Sequence, residues 1–170
     1  MHYTTASKWS KEKFTIDDDE GKPQFEVVRV YGLDGNSLSL RDLGDNELAV
    51  ICPRTGPTRF EVIAEGQPSI TVRHKGWFGK RYCIDIPAGE MTATVGDFSR
   101  KSYEILSSGT VKANVTREFI RQQNLTIDLP DKGDAVSLVA VVLAIETLRD
   151  DRRQTESAIP FLRLALRVIN

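Results

Sequence analysis

The chain has 170 residues, 40% hydrophobic and 28% charged, which suffices for one domain with a substantial core. Its formal net charge of −1 excludes a bulk electrostatic attraction to nucleic acid or membrane, so any such role must rest on how the charges are distributed. Cys52 and Cys83 have no metal-ligand spacing and are expected as reduced, buried thiols of a cytosolic protein. The opening stretch MHYTTASKWSKEK carries no apolar segment of the signal-peptide kind, and no run is long enough for a transmembrane helix.

In chain order, the elements are copies of one hairpin. Pairs of bulky apolar residues at alternate positions recur as Phe14/Ile16, Leu38/Leu40, Phe60/Val62, Tyr82/Ile84, Tyr103/Ile105 and Leu125/Ile127, spaced by 24, 22, 22, 21 and 22 residues. Alternation with period 2 marks half-buried strands. Short turns rich in Asp, Glu and Gly follow most pairs: DDDEGKP, RDLGDNE, AEGQP, PAGE and SSG. Each leads into a second alternating strand, read as Phe25/Val27, Leu48/Val50, Ile70/Val72, Ala93/Val95 and Val111/Ala113/Val115. That makes eleven strands from Phe14 to Leu129. A twelfth is expected at His2–Ala6, because Trp9 precedes Phe14 by the same five residues that separate Trp77 from Tyr82.

Twelve antiparallel strands leave two exposed edges unless they close into a barrel. Such a barrel is too wide for its own side chains to fill, since about eight strands already suffice for that. It needs a plug. The segment Asp134–Arg149, DAVSLVAVVLAIETLR, supplies one: from Ala135 to Ile145 only Ser137 is polar. A helix apolar on every side has to be enclosed. Sixteen residues span about 24 Å as helix, close to the roughly 20 Å of a six-residue strand. The predicted fold is therefore all-β with a central helix, a closed twelve-stranded antiparallel barrel over residues 1–150. Residues 151–170 then form a polar linker and an amphipathic C-terminal helix. In AIPFLRLALRVIN only Arg163 and Arg167 are polar between Ile159 and Ile169, so this helix is expected to dock on the barrel's outer wall, a partner or a membrane.

FTIDDDEGKPQFEVV, LSLRDLGDNELAVI and DKGDAVSLVAVVLAIETL resemble segments of the LURP-one-related family. The resemblance covers residues 1–150. It implies the tubby C-terminal-like fold, a twelve-stranded barrel around a central helix shared with phospholipid scramblases. It also implies binding at membranes, to phosphoinositides or other phospholipids.

An up-and-down barrel sends alternate connections to opposite ends. The between-hairpin connectors (7–13, 31–37, 52–59, 73–81, 97–102 and 117–123) hold thirteen basic residues and four acids, a net +9. The within-hairpin turns hold nine acids and two basic residues, a net −7. The basic end also carries Trp9, Trp77, Phe78, Phe98, Phe119 and Ile120. Large apolar tips beside Lys and Arg suit the boundary between headgroups and acyl chains. The densest stretch is RHKGWFGKR, so the candidate lipid-binding residues are Lys75, Trp77, Phe78, Lys80 and Arg81, with Lys8, Trp9 and Lys11 beside them. The alternative is that the aromatics fold back over the barrel mouth and the cations are merely solvated.

The acidic run Asp17–Glu20 lacks calcium-loop spacing and reads as a solvated turn. His74 reads as a surface residue, and Cys83 as outward-facing. No nucleophile–base–orienter set and no phosphate loop can be assembled. The sequence therefore points to a non-enzymatic module with no cofactor or metal, cytoplasmic or peripheral at the inner membrane face. Its expected partner is an anionic phospholipid or phosphoinositide. The alternative is a protein partner or self-association through residues 158–170, and nucleic acid is not expected.

Overall fold

The computed structural model describes residues 1–5, 12–32, 35–54, 59–75, 81–87, 89–95, 102–118, 124–131 and 133–150. Twelve strands follow one another: β1 (His2–Thr5), β2 (Lys13–Asp17), β3 (Pro23–Gly32), β4 (Gly35–Arg41), β5 (Glu47–Pro53) and β6 (Arg59–Ala64). Then come β7 (Ile70–Lys75), β8 (Arg81–Ile86), β9 (Gly89–Val95), β10 (Ser102–Ser107), β11 (Thr110–Glu118) and β12 (Asn124–Asp128). Each pairs antiparallel with its chain neighbours, and β12 closes on β1, Tyr3 opposite Ile127. The Leu129 N–H donates to the Met1 carbonyl at 2.7 Å and extends the seam. The topology is up-and-down throughout, so between-hairpin and within-hairpin connections leave from opposite ends.

All six of the repeated apolar pairs point into the barrel and are buried. The turns repeat as well as the strands. Asp18 Oδ1 accepts the N–H groups of Glu20 and Lys22, both at 3.0 Å. Asp42 Oδ1 accepts those of Gly44 and Asn46 at 2.8 and 2.9 Å. Asp45 (φ 67°) takes the left-handed position that Gly21 (φ 73°) holds in the first turn. These hydrogen bonds, from the Lys22 N–H foremost for Asp18 and from the Asn46 side chain foremost for Asp42, hold both carboxyls below the ordinary carboxylate range. Asp18 is thus spent on ordering its turn.

One strand is out of phase with the sequence reading. In β5 it is Ala49 and Ile51 that face inward, opposite Leu40 and Leu38, and not Leu48 and Val50. Residues 48–52 are apolar without interruption, so alternation gives no phase there. Pairing decides it, with a bulge between Leu40 and Arg41. Leu48 and Val50 consequently lie on the outer wall, where Val50 stands beside Ile63, 46% exposed. Cys83 does alternate outward, yet it is buried; Cys52 is half-buried, and both are free thiols.

The helix α1 (residues 135–150) fills the barrel. Val139 to Ile145 are seven consecutive residues at zero exposure, which leaves no solvent-facing stripe over nearly two turns. They share one core with the inward side chains of the strands. By its backbone Asp134 stands at the N-cap, its carbonyl accepting the Leu138 N–H at 3.0 Å. The other end is ionic. Glu146, 1% exposed, would be costly alone at a helix C-terminus. Arg117 reaches it from β11 at 3.1 Å and Arg149 at 2.6 Å, and Arg117 also binds Asp150 at 3.0 Å. The Arg149 guanidinium lies 5.5 Å from the centre of the Tyr103 ring. Burial, reinforced by Glu146, pushes the Tyr103 hydroxyl well above its ordinary range. Residues 151–170, including the expected C-terminal helix, lie outside the described residues.

Two substitutions probe the plug. Val142→Asp buries a charge without a partner and should yield no soluble folded protein, read by circular dichroism and size-exclusion chromatography. Arg117→Met keeps much of the volume but leaves Glu146 with Arg149 alone and takes away the partner of Asp150. It should lower unfolding free energy in urea by about 3–5 kcal/mol.

Candidate functional site at the basic end

Strand direction puts the ends of β1, β3, β5, β7, β9 and β11 at one pole of the barrel, with the starts of the strands that follow them. Of the sequence-predicted site, Lys75 closes β7 and Arg81 opens β8. Lys8, Trp9, Lys11, Trp77, Phe78 and Lys80 lie outside the described residues. Lys75 and Arg81 are both exposed and stand directly opposite each other across the β7–β8 ladder. Like charges in that relation repel. Neither has an ion-pair partner among the described residues. Arg59, also exposed, opens β6 on the same rim, opposite Arg73.

Four of the thirteen cations counted at this end are already neutralised. Lys13 pairs with Glu26 at 2.8 Å, Arg54 with Glu61, and Arg73 with Asp85 at 2.8 Å and Glu90 at 3.7 Å. Arg117 is the fourth, turned inward to the helix as described above. Sequence position could not separate these from the rest, because each finds its acid on a neighbouring strand or on α1. Of the described cations in this count, Arg59, Lys75 and Arg81 are left without an ion pair among the described residues, and the other six of the thirteen lie outside the described residues. The Arg73 hydrogen bond, followed by its charge, holds the Asp85 carboxyl below the ordinary range against the opposing effect of burial. Arg59 and Lys75 add to that lowering.

Inside the mouth the structure adds groups that the sequence reading did not single out. His74 is not a plain surface residue: it alternates inward with Val72, and its ring meets Tyr82 edge-on at 5.4 Å. Arg29 follows the inward Val27 by two residues and stands opposite Leu38, half-buried. The period-2 pattern of β3 was the available signal for Arg29. The mouth is therefore lined by Arg29, His74 and Tyr82, above the ionic end of α1.

An all-antiparallel closed barrel of twelve strands, threaded by one apolar helix and cationic at one pole, defines the structural class. The family model for LURP-one-related proteins matches residues 3–146, and the chain belongs to that family. The crystal structure of an Arabidopsis thaliana protein superposes with a TM-score of 0.62 at 16% sequence identity. The match covers 87% of this chain and 91% of that one, and at this identity it speaks to the fold. No curated protein matches the sequence.

The depressed carboxyls set the response to acid. A carboxyl whose folded pKa lies below its unfolded value contributes stability above the ordinary value of 3.8, and loses it as pH falls through the folded value. The urea midpoint should stay level from pH 7 to about 5 and then fall below about pH 4. Asp85→Asn should remove part of that fall, measured as urea midpoint against pH.

Proposed function

We propose that this protein is a non-enzymatic module that binds anionic phospholipid or phosphoinositide headgroups through the basic end of its barrel, associating with membranes peripherally. The observation that carries the reading is the Lys75–Arg81 pair. Two exposed cations face each other across a ladder with no counter-ion among the described residues, at the pole where topology gathers the cationic connectors. An anion between them would turn a repulsive arrangement into an attractive one. Arg59 on the same rim, without an ion pair among the described residues, extends the positive surface. Family membership is consistent with this reading. Among the described residues no helix is long and apolar enough to cross a membrane, so association would be by surface contact.

The outer wall favours a second reading, a protein-interaction module. The shifted phase of β5 sets Leu48 and Val50 outside beside Ile63, and Val30 and Tyr31 at the end of β3 are 44% and 61% exposed. A protein partner or a second copy could cover these side chains. Such a module would ignore vesicles.

Vesicle co-sedimentation separates the two. Binding should require phosphatidylserine or a phosphoinositide and should weaken as salt is raised. Each Lys or Arg near an anionic surface contributes about 1 kcal/mol. The triple variant Lys75/Lys80/Arg81→Ala should therefore bind roughly a hundredfold more weakly at low salt. Wild-type affinity in the folded triple variant would remove the rim from the lipid reading. Absent binding of the wild type would favour the protein-interaction module, and salt-insensitive binding would count against the cationic rim.

A further inference from the structure

The opposite, acidic end of the barrel is incompletely filled. Between the first two turns of α1 and the ends of β7 to β11 lies an open cavity of about 390 Å³. Protein interiors are packed to crystal density, so a space of this size between a plug and its wall is conspicuous. It falls at the lower end of the roughly 300–1,000 Å³ of small-molecule sites. Its floor is apolar: Ile70, Ile86 and Met91 from the wall, Leu138 and Val141 from the helix. Val141 has no solvent exposure, and Leu138 and Met91 are buried, so the cavity reaches the true core.

Its rim is polar, and one rim residue is placed by a distortion of the sheet. The β10–β11 register shifts so that Ile105 faces Ala113 while Leu106 faces Val111. Lys112 is the extra residue of this bulge, and its side chain lines the cavity. Bulges re-aim side chains in this way beside binding sites. Among the described residues no carboxylate lies within ion-pair distance of Lys112. Ser137, in the first turn of α1, also lines the cavity. The N–H groups of that turn point towards the same mouth and carry the positive end of the helix dipole. Asp134 stands at the lip and is exposed. Together with the acidic turns it works against a doubly charged head.

We propose that this cavity binds a single-chain amphiphile with a carboxylate head, of the medium-chain fatty acid kind. The alkyl chain lies on the floor towards Val141, and the carboxylate meets Lys112 and the first-turn N–H groups of α1. A single negative charge matches the rim, where the dianion of a phosphate monoester would face Asp134. The volume suits one chain and not the two of a membrane phospholipid. This site is independent of the basic rim, which lies at the other pole.

The full chain should be titrated with decanoate, decanol, decylamine and decyl phosphate below their micelle concentrations. Thermal shift and calorimetry give affinity, and methyl NMR of Ile70, Met91 and Leu138 gives location. Decanoate is expected to bind one-to-one, to raise the melting temperature and to shift those methyls, more tightly than the other three. Lys112→Gln should weaken decanoate by about tenfold or more, the scale of a charge-assisted hydrogen bond, while leaving decanol unchanged. Ile86→Trp, which fills the cavity, should abolish binding of every ligand in the series. Absence of saturable decanoate binding, or binding that leaves the three methyls unmoved, overturns the proposal on the wild type alone. Preference for the amine or the phosphate, or equal affinity for decanoate in wild type and Lys112→Gln, overturns the carboxylate assignment.

Discussion

The architecture depends on one packing requirement: a ring of twelve strands encloses more space than its own side chains can fill. Closing the ring satisfies every backbone group that an open sheet would leave at its edges. Closure then creates an apolar hole, and only a helix without a polar face can occupy it. Val139 to Ile145 meet that condition at zero exposure. The barrel cannot be closed and empty, and the helix cannot be solvated. Each is the condition for the other.

The same closure sorts the charges. In an up-and-down ring every second connection leaves from the same pole, so a protein of near-zero net charge becomes positive at one end and negative at the other. The positive pole is also where α1 ends. There Arg117 of β11 binds Glu146 and Asp150, so the plug is tied to the wall by ion pairs at the cationic pole. The C-terminal end of the helix is held by ion pairs, while beside its first turns the acidic end leaves a cavity.

Much of this was legible in the sequence because a period of about 22 residues carries the strand pairs. Phe14/Ile16 through Leu125/Ile127 gave strand number, phase and order, and Ala135–Ile145 gave the plug. The tertiary pairings were not legible. Leu48–Cys52 is apolar throughout and contains no phase, so the inward choice of Ala49 and Ile51 is made by β4 and β6. Arg117 reads as one more rim cation until the Glu146 of the plug is brought to it. The opposition of Lys75 and Arg81 requires the register of β7 on β8. Lys112 looks like an outward residue between Val111 and Ala113, and only the bulge opposite Leu106 reveals that it lines a cavity. Six of the eight candidate lipid-binding residues fall outside the described residues, so the site is represented by Lys75 and Arg81.

If helix and barrel are mutually conditional, they should open together and never separately. Native-state amide hydrogen exchange across low denaturant concentrations measures this directly. The amides of Val139 to Ile145 and those of the central barrel strands should merge into one exchange isotherm, with the free energy and denaturant dependence of global unfolding. Exchange of the helix amides through a separate opening, several kcal/mol below the strands, would contradict this mutual dependence, because the barrel would then stand closed without its plug.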